Sequence, residues 1–158
     1  MTRYAEGTQV DESRSRGEIE RTLRRYGAQG FGYAWEGNNA MLTFKANGRM
    51  CRFLLPMPDQ NDREFTYTPE RQVRRSPAAA RAAWEQACRQ RWRAMSLLIK
   101  AKLEAIESGI VTFDDEFLAP MLLPNGQTVG QWAVPQIAAA YERNQMPALM
   151  PGLSERSC

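Results

Sequence analysis

The sequence predicts an α+β fold: a three-stranded antiparallel β-meander packed on one long α-helix, with an N-terminal helix and two short C-terminal helices. Three patterns carry this reading. Apolar residues alternate through three runs between residues 31 and 55, broken by Glu36-Gly37-Asn38-Asn39 and by Asn47-Gly48. Asn-Gly between alternating runs marks a hairpin, because both residues tolerate positive φ. Ala80, Trp84, Cys88, Trp92, Met95, Ile99, Leu103 and Ile106 then recur at steps of 4, 4, 4, 3, 4, 4 and 3, the stripe of a buried helix face. Ile19, Leu23 and Tyr26 form a shorter stripe ahead of the sheet.

Taken in order, Ser15 and Glu18 have the spacing of a capping box, which predicts a first helix over residues 16–26, ended by Gly27. Strands are expected over 31–35, 40–46 and 49–55. Leu42 and Phe44, with Cys51, Phe53 and Leu55, would form a greasy face, and Thr43, Lys45 and Arg52 a polar one. Pro56 and Pro58 end the third strand. Residues 57–75 hold no sustained period and read as a long surface loop, a length that is uncommon in a compact domain and often functional. Ser76-Pro77 suits the cap and first turn of the long helix, predicted over 77–108 and about 48 Å in length. Thr112 caps a short helix over 113–119, whose acids suit a helix start. Thr128 caps the last helix, over 129–141, with Pro135 inside it. Residues 1–12 and 144–158 are expected to be flexible ends, leaving one domain over 13–143.

The 158 residues suffice for one core. There is no histidine, which removes hydrolase chemistry through a His base and any His-ligated metal. Three cysteines without a CxxC support neither a zinc ribbon nor a disulfide framework. No apolar run is long enough to cross a bilayer, and the first residues lack the apolar centre of a signal peptide. The expected location is a reducing cytoplasm. No phosphate-loop pattern is present. The acids Asp114, Asp115 and Glu116 are consecutive on a helix and do not converge on a metal, and Asp59, Asp62 and Glu64 lack the lysine of a nuclease site. No cofactor, metal or catalytic group is therefore expected, and the chain reads as a non-enzyme.

Charge is the strongest functional signal. Residues 1–70 are net neutral, residues 71–102 carry +8, and residues 103–158 carry −5, within a total of +3. A dense cationic segment is a footprint for polyanions, unless the acidic block folds back and neutralises it. The candidate nucleic-acid contacts are Arg71, Arg74, Arg75, Arg89, Arg91 and Arg93, aided by Lys45 and Arg52 on the sheet. Trp92, between two arginines, and Tyr67, ahead of three, are candidates to stack on bases. For Trp92, as for Trp84, the alternative is burial against the sheet as part of the helix stripe.

Residues 53–58, 89–94, 98–110, 113–119 and 123–130 resemble a family of small, largely uncharacterised proteins of tailed phages and prophages, often found among early genes. The resemblance spans most of residues 10–150. It implies phage origin and a role in the cytoplasm of the bacterial host, and it supplies no site residues. The order helix, three strands, long helix is also similar to the core of single-strand annealing proteins of the Red-beta and RecT type. In those, a basic groove between sheet and helix holds DNA, and subunits assemble into rings or filaments. The resulting expectation is a phage nucleic-acid-binding protein, single-stranded DNA being favoured, that assists recombination or replication as a homo-oligomer. In such an assembly the acidic block of one copy would meet the basic block of the next. The alternative is a non-enzymatic inhibitor of a host protein, an anti-defence factor. A third reading is a structural role in the virion.

Overall fold

The computed structural model describes residues 9–146, with side chains from residue 12 onward. Helix α1 (Gln9–Arg25) leads into strands β1 (Gln29–Glu36), β2 (Asn39–Ala46) and β3 (Arg49–Pro56), paired antiparallel in the order β1-β2-β3. A single turn, α2 (Arg63–Thr66), precedes the long helix α3 (Pro77–Glu107), and α4 (Phe113–Glu116) and α5 (Val129–Arg143) follow. The fold is the α+β meander on a long helix that the sequence predicts.

The register follows from the turns. Left-handed Gly37 closes β1 on β2 at Glu36 opposite Asn39, and left-handed Asn47 and Gly48 close β2 on β3 at Ala46 opposite Arg49. Ala40, Leu42, Phe44 and Ala46 therefore share the buried face with Cys51, Phe53 and Leu55, and Thr43, Lys45 and Arg52 face outward. Gly30 is an extra residue in β1, a bulge that shifts the pairing between Gln29 and Phe31. Residues 120–122 line the outer edge of β3: the Arg52 amide donates to the Pro120 carbonyl and the Leu122 amide to that of Met50.

The buried stripe of α3 runs through Trp84, Cys88, Trp92, Met95, Ile99 and Leu103 and shares one core with the sheet. At its centre Phe44 and Phe53 stack, and the Phe117 ring meets both edge-on. The Tyr33 ring meets Trp92 edge-on. Ser76 caps α3 by accepting from the Ala79 amide, as expected. Thr112 accepts from the Asp115 amide, and Thr128 forms a full capping box with Gln131.

Three expectations are corrected. The first helix begins at Gln9, so Ser15 lies inside it and the Ser15–Glu18 capping box does not form. Residues 9–12 are thus helical rather than part of a flexible end. The extra turns pack on α3 through Glu12, only 7% exposed and 3.7 Å from Arg16. Burial pushes the Glu12 carboxyl above its ordinary range, partly offset by Arg16. The 57–75 segment is built rather than open. Asp59 accepts from the Asn61 amide, Phe65 of α2 is buried, and a narrow turn pairs Tyr67 with Arg74, its amides bonded from Thr68 to Val73 and from Arg75 to Thr66. At the other end, Asn144 is the left-handed cap of α5, whose helix runs through Pro135 to Arg143. The other residues expected to be flexible, 1–8 and 147–158, lie outside the described residues.

Two outcomes are expected. Trp92→Ala should cost about 3–5 kcal/mol in a denaturant melt, while Arg93→Ala should stay within about 0.5 kcal/mol of the parent. Burial pushes the thiols of Cys51 and Cys88 up to about 11. In a Cys158→Ser chain at mildly alkaline pH, a thiol reagent should therefore leave both unreacted until denaturant is added.

Candidate nucleic-acid interface

The long helix displays its arginines on separate sides. Two residues apart on an α-helix is about 200° around the axis, so Arg91 and Arg93 leave α3 on opposite flanks of the Trp92 stripe. Arg89 and Arg93 are one turn apart and share a flank. Arg91 and Arg93 are exposed, whereas Arg89 is half-buried and bonds Gln86 through Nε and an Nη.

Arg71, Arg74 and Arg75 belong to the narrow turn that leads into α3. Arg74 and Arg75 line a cleft of about 800 Å³ at the start of that helix, with Asn61, Thr66, Arg81 and the edge of Trp84. The Nε of Arg75 is buried there without a hydrogen-bond partner among the described residues. Arg81, in the same cleft, is braced by Glu85 at 2.9 Å. The sequence pattern marks Arg81 only as part of a basic helix face. Its place beside Arg74 and Arg75 depends on how the 57–75 segment folds back.

The sheet residues do not join this surface. Lys45 and Arg52 do face outward as expected, but α3 covers the opposite face of the sheet. The greasy face is filled by the helix stripe, so no open groove runs between the two. Arg52 is also occupied: one Nη donates to the Gly126 carbonyl at 2.9 Å and to Gln131 Oε1 at 3.1 Å, tying the start of α5 to the sheet. Lys45 stays exposed, opposite Met50.

Both aromatic candidates are engaged within the molecule. Trp92 is 2% exposed, and the guanidinium of Arg16 lies 5.6 Å from its ring centroid. Trp92 is therefore removed from the stacking candidates, because the apolar stripe claims it. Tyr67 is half-buried, with the guanidinium of Arg63 4.7 Å over its ring. The nearby Tyr33 hydroxyl donates to the Arg16 carbonyl, and burial pushes Tyr33 up to about 12.

Among the described residues, the acidic block meets the basic one at Lys102. Glu116 binds Lys102 at 2.7 Å, Asp114 sits 3.7 Å from Arg49, and Glu107 accepts from the Tyr26 hydroxyl. Asp115 accepts from the Thr112 hydroxyl at 2.6 Å. Among the described residues, Arg71, Arg74, Arg75, Arg91 and Arg93 have no carboxylate within ion-pair distance.

A further surface went unread in the sequence. Helix α5 has no buried residue, and it exposes Trp132, Val134, Ile137 and Tyr141, the last 85% exposed. It carries no charge from Val129 to Tyr141. The signal was there: a charge-free helix with apolar residues on more than one side is one that expects cover. Among the described residues no helix is long and apolar enough to cross a membrane. Compared with models of known protein families, with curated proteins and with solved structures, the chain matches none.

Proposed function

We propose that this chain is a phage nucleic-acid-binding protein that acts on single-stranded DNA as an accessory to recombination or replication, without catalysing a reaction. The observation that carries the reading is the set of arginines without carboxylate partners among the described residues, Arg71, Arg74 and Arg75 at the start of α3 with Arg91 and Arg93 along it. Arginine forks suit phosphate oxygens. From Pro77 to Arg93 is 16 residues, about 24 Å of helix, a span over which successive phosphates of one strand could be met. With Trp92 buried and one face of the Tyr67 ring taken by Arg63, affinity comes chiefly from phosphates rather than from stacked bases. Such binding is tolerant of sequence and falls steeply with salt. The resemblance of residues 89–94 and 98–110 to early phage proteins supports the same setting.

A second reading rests on α5. Its exposed Trp132, Ile137 and Tyr141 suit a protein partner, as an inhibitor of a host protein would need.

Gel shifts with single- and double-stranded DNA and with RNA, at two ionic strengths, test the first reading. Binding should favour the single strand and weaken as salt rises. Replacing Arg71, Arg74 and Arg75 together by Ala should lower affinity about tenfold or more and flatten the salt slope by up to about 3. Lys45→Ala, on the far face of the sheet, should change little. No binding at low salt, or equal binding by the triple variant, contradicts the reading. Ile137→Asp with Tyr141→Asp should leave DNA binding intact. If those changes instead abolish capture of one host protein by a chain that binds no DNA, the second reading holds.

A further inference from the structure

The sheet ends in an open strand. Counting from the closing pair Glu36–Asn39, the hydrogen-bonded pairs of the β1–β2 ladder are Glu36, Ala34 and Gly32 with their partners on β2. The amides and carbonyls of Phe31, Tyr33 and Trp35 therefore point away from β2. The same count on β3 sends Met50 and Arg52 outward, and there the chain supplies partners in residues 120–122. No described residue does so for β1.

This edge also lacks the usual protection. Exposed edges are commonly blunted by lysine, proline or a central bulge. Residues 29–35 hold no charge and no proline, the bulge at Gly30 sits at one end, and the one charge, Glu36, sits at the other. Trp35 lies on this edge, 48% exposed.

We propose that β1 pairs antiparallel with β1 of a second copy of this chain, about a two-fold axis at Tyr33, to give a continuous six-stranded sheet. That register sets Tyr33 opposite Tyr33 of the second copy and Phe31 opposite Trp35 of the second copy. It is the register in which all the outward amides and carbonyls of Phe31, Tyr33 and Trp35 find partners. Shifting by one residue to either side leaves some of them without a partner on this segment. The paired side chains are aromatic, and such cross-strand pairs favour a sheet. The half-exposed Trp35 ring meets Phe31 of the second copy, whose outer face is topped by the Arg24 guanidinium at 5.6 Å. Each Glu36 comes to lie by the start of the facing strand, a few residues after Arg25, with Arg24 of that copy bridged to its own Glu20. The contact is isologous and closes as a dimer.

The test uses the full chain without nucleic acid, so its outcome is separate from the DNA reading. Sedimentation over a range of concentrations should show a dimer. Trp35→Pro removes an outward amide but no β1–β2 bond, and proline is tolerated on an edge. It should yield a monomer with unchanged circular dichroism, whereas Trp35→Phe should remain a dimer. A spin label at Ala34→Cys, in a Cys158→Ser background, should report a second label within about 20 Å, since the two positions stand about 8 Å apart in the paired strands. A monomer at all concentrations overturns the proposal. So does a dimer that survives Trp35→Pro, or one that shows no coupling at Ala34→Cys. The label decides the matter if the proline variant does not fold.

Discussion

The interaction on which the molecule depends is the burial of one face of α3 against the inner face of the meander. The apolar face of a sheet has to be buried against another element, and the long helix supplies that cover here. Here Trp92, Ile99 and Leu103 come from the helix, Leu42, Phe44 and Cys51 from the sheet, and Phe117 from the segment after α4. Burying large aromatics fully is worth several kcal/mol each. Every other feature is arranged around this contact. The first helix lies beside α3, the α2 turn packs at its start, and α4 packs near its end.

That packing also decides where charge can go. With the stripe turned inward, the arginines beside it are driven to the two flanks, and Trp92 is taken by the core. A helix that uses its tryptophan for stability cannot also offer it to a base. The surplus charge therefore lies in two regions, the turn with its cleft at the start of α3 and the flanks of its middle. Four carboxylates of the later chain, Glu107, Asp114, Asp115 and Glu116, are engaged locally, on Tyr26, Arg49, the cap of α4 and Lys102. They stabilise the far end of the helix, a place from which they do not reach the arginines.

What could be read from the sequence was whatever local periodicity controls. The strands, both hairpin turns, the caps at Ser76, Thr112 and Thr128 and the run of α3 follow from spacing and turn chemistry, and the structure has them within two residues, apart from the short α4. What could not be read was whatever tertiary contact controls. The first turns of α1 were hidden because the inward positions there are held by buried Glu12 and half-buried Arg16, polar residues that break the apolar stripe. Residues 57–75 carry no period because side-chain bonds and one buried phenylalanine shape them. The alternation of the third strand correctly turned Arg52 outward, but not toward the Gly126 carbonyl, which comes from 74 residues further along. The candidate site was legible as a charge count and not as a surface, since helix geometry splits Arg91 from Arg93 and the sheet separates Lys45 from both.

The central claim is that Arg71, Arg74, Arg91 and Arg93 stand open and receive phosphate. Footprinting with an arginine-selective dicarbonyl reagent, read by mass spectrometry, addresses both halves at once. The account predicts rapid modification of Arg71, Arg74, Arg91 and Arg93 in the free chain, slow modification of Arg52, and protection of the first group by a single-stranded oligonucleotide. Slow modification of those arginines in the free chain, or rates that an oligonucleotide leaves unchanged, would contradict it.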